Sequence, residues 1–362
     1  MKHLALALLV FFFYSCSTAD KKDEMKIDVD RALNQKKEVK LSSLVKNLEY
    51  IPLETDSNSL LDENLGILLF DKEIVAINKR KCLLFDRATG KFIKEVLHRG
   101  EDPDGYSRTT LGFGLLGNES EKTIFFNEFN GNVAVYSLET GERNRIPNPD
   151  FGSVAYLDKH TMVCTAMNWD GTKKVKMRVY KDYQYVDSIP NKENYELKTN
   201  AVAIFTDEDF FYRTNGKTYY KYMINDTVYE VTDKALLPAY TFAPTEKLPQ
   251  LELREHPETM GKAMDELYVV KQIMEDNDYV LYQIEYEKEK HCLLYDKEAG
   301  EGCRLDEGFT DDIDGGVNLW PDHITEKGEY VFVVNPALLE EDMLAKYNLQ
   351  EDDNPLIIVG TK

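Results

Sequence analysis

The chain has 362 residues, 43% of them hydrophobic and 11% aromatic, enough for one large core or two modest ones. Its formal charge of -21 repels phosphate backbones and anionic lipid headgroups, and no basic aromatic stripe offsets that, so nucleic acid is excluded as a partner. Beyond the N-terminal segment no apolar run is long enough for a membrane-spanning helix.

Met1, Lys2 and His3 open a positive region, residues 4–14 are apolar, and Ser15 and Cys16 close the run. That apolar core is too short to cross about 30 Å of hydrocarbon as a stable helix, so residues 1–15 read as a signal peptide. Asp20, Lys21, Lys22, Asp23 and Glu24 make the sequel hydrophilic. A cysteine at this position resembles a lipobox, which implies cleavage before Cys16 and its conversion to a lipidated N-terminus. The acyl chains would then be the only membrane attachment. Ser17 is not the aspartate that retains many lipoproteins at the inner membrane, so the same resemblance favours the outer membrane, on its periplasmic or cell-surface face. Residues 16–40 are expected to form a lipidated flexible spacer, and residues 41–362 the folded domain.

Next in the chain, 48–53 is a strand outside any repeat, expected to complete the last unit beside the C-terminal strands. The first unit holds strands 67–70, 74–78, 82–85 and an outer strand within 91–97. The second begins with 111–116, 123–126 and 133–136. Later units run through 154–189, 202–242, 267–305 and 317–359. Helical pattern is scarce. Residues 337–347, after Pro336, carry Leu338, Leu339, Met343 and Leu344 at roughly helical spacing and form an insertion in the last unit. A shorter helical or irregular piece is expected near 259–267.

A faint repeat decides the fold class. KCLLFDRATGKF (81–92) matches HCLLYDKEAGEG (291–302) and partly NVAVYSLETGER (132–143), each an apolar strand ending in an aromatic, then a polar turn closed by glycine. The anchoring aromatics Phe85, Tyr136 and Tyr295 are separated by 51 and 159 residues, a period near 52. The stretch from residue 48 to 362 holds six such units. The expected fold is therefore all-β: a six-bladed β-propeller of antiparallel four-stranded blades, with a helical insertion in the last blade.

After Cys16 the cysteines are Cys82, Cys164, Cys292 and Cys303, and nothing in their spacing selects a pairing over free buried thiols. Cys82 and Cys292 precede equivalent Leu-Leu-aromatic-Asp segments and are expected on equivalent strands.

Five features, in this order, resemble the six-bladed β-propeller lipoproteins of gut and oral Bacteroidetes. They are Glu49-Tyr50-Ile51-Pro52-Leu53-Glu54-Thr55, the glycine-containing segment 99–106, Asn225-Asp226-Thr227-Val228-Tyr229, Asp314-Gly315-Gly316 with Trp320-Pro321, and Asn354-Pro355. The similarity covers the chain beyond the spacer. It departs from the family's glycine, proline and glycine pattern after Arg99, where this chain has Glu101-Asp102-Pro103-Asp104-Gly105-Tyr106. The resemblance implies fold and location and brings no common reaction with it.

Propeller loops converge near the axis, where a polar basin forms. Arg99, with His98 beside it, has the planar donor fork to clamp a carboxylate, although the same residues also suit a charged inter-blade loop. Asp311, Asp312 and Asp314 offer hard oxygen ligands for calcium, but the terminal glutamate of a twelve-residue calcium loop is absent and a solvated loop reads equally. Trp320 and Trp169 are candidate stacking platforms or blade packing, and His323 lies near the former. No paired-histidine metal motif, esterase elbow or cofactor motif occurs, and no cofactor is expected.

The expectation is an outer-membrane-associated binding module for a saccharide, a peptide or a partner surface lipoprotein. Two alternatives stand beside it: an oligosaccharide hydrolase or lyase working in the central basin, and a scaffold in a surface assembly. Sequence does not decide whether a reaction is catalysed.

Overall fold

Short apolar runs closed by turn residues make antiparallel hairpins, and here they assemble into six small sheets arranged around an axis. The computed structural model describes residues 25–61, 65–78, 80–102, 105–106, 117–128, 130–150, 152–205 and 208–362. Cys16, Pro103, Asp104 and the expected strand 111–116 lie outside the described residues.

The innermost strands of blades one to six are Gly66–Leu69, Gly117–Asn118, Val154–Tyr156, Asp209–Thr214, Val269–Glu275 and His323–Ile324. In each blade the following strands pair antiparallel, outward from the axis. Both faces of a blade meet a neighbouring blade, so second strands such as Glu73–Ile77 and Thr161–Thr165 are buried almost throughout, while the outer strand Gln184–Pro190 is largely exposed. That two-sided burial explains why the strands read as continuous apolar runs.

The three repeats are the third-to-fourth-strand hairpins of blades one, two and five. Their turn glycines Gly90, Gly141 and Gly300 take φ values of +67, +74 and +66°, a region that strongly favours glycine. Cys82 and Cys292 sit on the third strands of blades one and five, and all four described cysteines are buried free thiols.

The ring closes where the sequence places the closure. The early strand Asn47–Pro52 pairs antiparallel with the C-terminal strand Leu356–Thr361, from Asn47 opposite Thr361 to Pro52 opposite Leu356. Ile51, Leu53, Ile67, Val331 and Ile357 then share one buried cluster between blades six and one. Asn354, 2% exposed, holds the junction: its Nδ2 donates to the carbonyls of Glu54 and Ser59 at 2.7 and 2.8 Å, and its Oδ1 accepts from Leu61 N–H at 2.9 Å. Closure leaves the last blade without an unpaired seam.

Residues 25–40 depart from the expected spacer. Strand β1 (Met25–Asp28) adds parallel to the outer strand Leu236–Ala243 of blade four, and helix α1 (Val29–Asn34) lies on blade five. Ile27, Val29 and Ala32 are fully buried, each large apolar side chain contributing about 1.5–3 kcal/mol. A Cβ on Gly302 would approach the Ala32 methyl to 2.9 Å, so glycine there lets the helix dock. Lys36 and Lys40 bridge to Arg304 and Thr310 as the segment continues past blade five. Charged side chains of this segment pair with the blades, Arg31 with Glu301 at 2.5 Å and Asp30 with Lys247 at 2.7 Å. One short strand and one six-residue helix are too brief to display a period in the sequence.

The remaining helices are minor. Helix α2 (Pro257–Met264) starts with proline at its first turn. In the last blade, the expected helix over 337–347 is divided: Pro336–Leu338 forms a single 3-10 turn capped by Asn335, and helix α3 (Glu341–Tyr347) follows. Tyr347 stacks on Tyr50 at 4.9 Å, which seats the insertion against the closing strand.

Candidate functional site: the axial cavity

Inner strands of a propeller all run the same way along the axis, so residues near their ends converge. Leu65, Ile67 and Leu68 of blade one, Glu119 of blade two, Phe210 and Arg213 of blade four, Lys271, Gln272, Ile273 and Glu275 of blade five, and Asp322, His323 and Glu326 of blade six line a cavity of about 190 Å³. An apolar cavity of ~150 Å³ accommodates benzene, so this space suits one ring-sized molecule.

Its floor is a belt of charged groups that crosses the axis. Arg213 Nη1 meets Glu326 Oε1 at 3.0 Å, joining blades four and six. Ser120 of blade two also donates to Glu326. Glu119 accepts from the backbone N–H groups of Leu69 at 3.3 Å and Glu326 at 3.1 Å, tying blade two to blades one and six, and lies 3.4 Å from His323 Nε2. Glu275 accepts from Tyr212 Oη at 2.7 Å and from Lys297 at 2.6 Å, and Tyr212 shares a further hydroxyl contact of 2.8 Å with Tyr240. Arg213, Glu275 and Glu326 also line an open groove of about 480 Å³ among the turns at 214–216, 276–277 and 325–329. Arg213, Glu275 and Glu326 therefore border both spaces.

Two polar atoms in this wall lack hydrogen-bond partners and are shielded from water: Arg213 Nε and His323 Nε2. Leaving such a group unsatisfied costs about 1–3 kcal/mol, which makes each one call for a functional explanation. Asp322 as a residue is exposed, but protein packs closely around its carboxyl. Burial pushes its carboxyl up to about 6, against the opposing pull of the Val333 N–H, which it accepts at 2.8 Å, and of His323.

Of the residues picked out in the sequence, His323 lies in the cavity wall and Trp320 directly behind it. Trp320 Nε1 donates to Gln272 Oε1 at 3.0 Å and its ring stacks on Phe309, so it orients a wall residue. His98 and Arg99 end the exposed outer strand Phe92–Arg99 of blade one, where His98 pairs with Asp102 at 2.8 Å and Glu95 at 3.3 Å. Trp169 is 39% exposed in the turn between the second and third strands of blade three. Neither Trp169 nor the His98–Arg99 pair is among the cavity's lining residues.

The three aspartates do not converge. Asp311 accepts the backbone N–H groups of Ile313, Asp314 and Gly316, Asp312 accepts from Ser42 N–H and Oγ, and Asp314 faces Lys346 at 3.8 Å. Among the described residues no three acidic, histidine or cysteine groups are placed to hold a metal ion. Turn geometry engages Asp311, and the segment before the closing strand engages Asp312.

Sequence reasoning passed over Arg213, Lys271, Gln272 and Glu275. The available signal was the polar pair Lys271-Gln272 inside the otherwise apolar run Val269–Glu275, and Arg213 near the end of Asp209–Thr214.

A family model described as a domain of unknown function, DUF4934, matches residues 24–361. The chain belongs to the DUF4934 family. That match starts at the β1 segment, so the DUF4934 unit includes the docked N-terminal strand and helix. No curated protein matches the chain. A crystal structure of a Bacteroides fragilis NCTC 9343 protein, whose name provisionally marks it as exported, is similar to this DUF4934 chain with a TM-score of 0.68 at 14% identity, over 93% of this chain and 99% of that one. At that identity the likeness shows the fold alone. U3-55K follows with a TM-score of 0.47 at 10% identity over 89% and 99% of the two chains. The propeller domain of the Trilobed protease from Pyrococcus furiosus has a TM-score of 0.40 at 12% identity over 75% and 78%. Both are too distant to carry an argument.

Proposed function

We propose that this DUF4934 protein is an exported, lipid-anchored binding module that holds one small polar molecule in its axial cavity. The observation that carries the reading is the cavity itself: about 190 Å³, ring-sized, with polar side chains delivered by four separate blades. A closed ring of blades holds such groups in fixed mutual positions, which lowers the ordering cost of binding. The segment ending in Cys16 supports export and lipidation, and Ser17 supports an outer-membrane location. Among the described residues no helix is long and apolar enough to cross a membrane.

Native mass spectrometry against pooled oligosaccharides, peptides and small metabolites tests this. A stable adduct of unchanged ligand mass, lost when Phe210→Trp fills the cavity, supports it. Adducts that persist in that variant place binding elsewhere and overturn it.

One observation favours a second reading, an oligosaccharide hydrolase or lyase. Asp322 lines the cavity, and protein packed around its carboxyl pushes it up to about 6, which suits it to donate a proton near neutral pH. Ligands released shortened or dehydrated, and released intact by Asp322→Asn, would establish that reading.

A further inference from the structure

The direction of strand β1 tells from which side the N-terminal tether reaches the propeller. Strands alternate in direction within blade four, so the turns at 215–216 and 232–235 lie on one face of the ring, the turn face. The outer strand Leu236–Ala243 leaves that face and ends at the opposite one, where the connection carrying helix α2 begins. Strand β1 runs parallel to it, with Met25 opposite Tyr240 and Asp28 opposite Ala243, so the chain enters β1 heading away from the turn face. Tyr240 stands ~13 Å along the outer strand from Leu236. Cys16 is nine residues ahead of Met25, and such a stretch spans at most about 32 Å even when fully extended. A lipid on Cys16 is therefore held close to the outer edge of blade four, on the side from which β1 is entered.

The turn face near that edge suits a neutral bilayer. Tyr185 and Val186 are the second and third residues of the outer strand of blade three, and Leu237 is the second of blade four, so all three sit beside the turn face; they are 57, 50 and 47% exposed. The lysines there are matched to carboxylates: Lys181 to Asp233 at 3.3 Å, Lys234 to Asp187 at 2.8 Å and Lys217 to Glu230 at 2.7 Å. Those pairs offset locally the negative charge that the chain carries as a whole.

We propose that the propeller lies turn face down on the phospholipid surface that anchors it, with blades three and four nearest the tether and Tyr185, Val186 and Leu237 in the headgroup region. This rests on the lipid anchoring at Cys16 in the reading above and adds an orientation to it. An amphipathic tyrosine ring suits the boundary between lipid and water, and valine and leucine add a modest apolar contact. Attachment comes from the acyl chains; these three side chains decide which face turns to the membrane. The open groove among the turns at 214–216, 276–277 and 325–329 then faces the bilayer, while helix α2 points away from it.

Fluorescence transfer tests the orientation on the full lipidated protein, in vesicles of phosphatidylcholine and phosphatidylethanolamine that carry a trace of rhodamine-labelled lipid. A donor dye is placed on one added cysteine at a time: Lys234→Cys and Lys72→Cys, in turns of blades four and one on the turn face, and Lys262→Cys on helix α2. Burial keeps Cys82, Cys164, Cys292 and Cys303 from taking the dye. The inner and outer strands of blade four, six and eight residues long, put ~20–26 Å between the faces, so donors at 72 and 234 should transfer at least about twofold more efficiently than one at 262. Strongest transfer from 262 inverts the orientation and overturns the proposal. High transfer from 234 alone, with 72 and 262 equal, describes a propeller standing on its rim and overturns it as well. Replacing Tyr185, Val186 and Leu237 together by serine should leave flotation with the vesicles unchanged and narrow the difference between the faces; an unchanged difference overturns the assigned contact residues. Protein that fails to float, or that carries no acyl group on Cys16, overturns the anchoring reading and the orientation together, whereas floating protein with the wrong order of transfer overturns the orientation alone.

Discussion

Arg213 and Glu326 meet at 3.0 Å across the propeller axis, one from blade four and the other from blade six, with side chains 13% and 25% exposed. A contact between blades that are not neighbours braces the ring from inside. Because it is partly shielded, it should matter more than a surface ion pair. Glu326→Ala is expected to cost about 1–3 kcal/mol, read as a lower urea midpoint at unchanged slope. A midpoint identical to that of the parent would show that the belt contributes nothing to stability.

The N-terminal segment yields a prediction opposite to that of a spacer. Ile27 is fully buried against the outer strand of blade four, so Ile27→Ala should destabilise the protein by about 2–4 kcal/mol. Denaturant unfolding measures it. No loss of stability would mean that the segment is detached from the propeller in solution.

Asp322 makes stability depend on pH in a definite direction. Its folded carboxyl, at about 6, lies above the ordinary 3.8, so the folded state holds the proton more tightly than the unfolded chain. The stability from this group is present below the unfolded value and is lost as pH rises through about 6. Asp322→Asn should therefore stabilise the protein at about pH 7.5 and have little effect near pH 4, since asparagine keeps an acceptor for Val333. Thermal melts at both values decide it, and an equal effect at both would rule out the ionisation as the cause.

Cys82, Cys164, Cys292 and Cys303 are buried free thiols, and burial pushes each thiol up. Since the thiolate is the reactive form, none should react with a disulfide reagent in the native state near pH 8, and all should react once denaturant is added. Rapid native labelling, or a mass that changes on reduction, would contradict that arrangement.

Replacing Cys16 by Ser should abolish incorporation of labelled palmitate and move the protein from the membrane to the soluble fraction of expressing cells. Persistence in the membrane fraction without label would point to attachment by another route.

Much of the fold was legible because blades are built locally. A strand ending in Phe85, Tyr136 or Tyr295, a polar turn and a glycine at positive φ specify a hairpin without help from distant residues, and repetition of that hairpin sets the number of blades. Ring closure could also be read, since a strand ahead of the first unit needs a partner and the C-terminal strand offers one. Trp320 was conspicuous as a residue type, yet its indole turns out to hold Gln272, because what surrounds a side chain is not written in its own neighbourhood of sequence.

The sequence by itself determined the all-β class, the six units, their hairpins and the way the ends join, since these follow from alternation, turn chemistry and repeat length. Only the tertiary structure decided which side chains share the axis. Glu119, Arg213, the pair Lys271-Gln272 and Asp322 are separated by long stretches of chain and look individually like ordinary polar residues in or beside short strands. They become a site because wrapping the blades into a closed ring brings their inner strands together. The docking of residues 25–40 was decided the same way: Ile27, Val29 and Ala32 acquire a buried face only when blades four and five stand side by side to receive them.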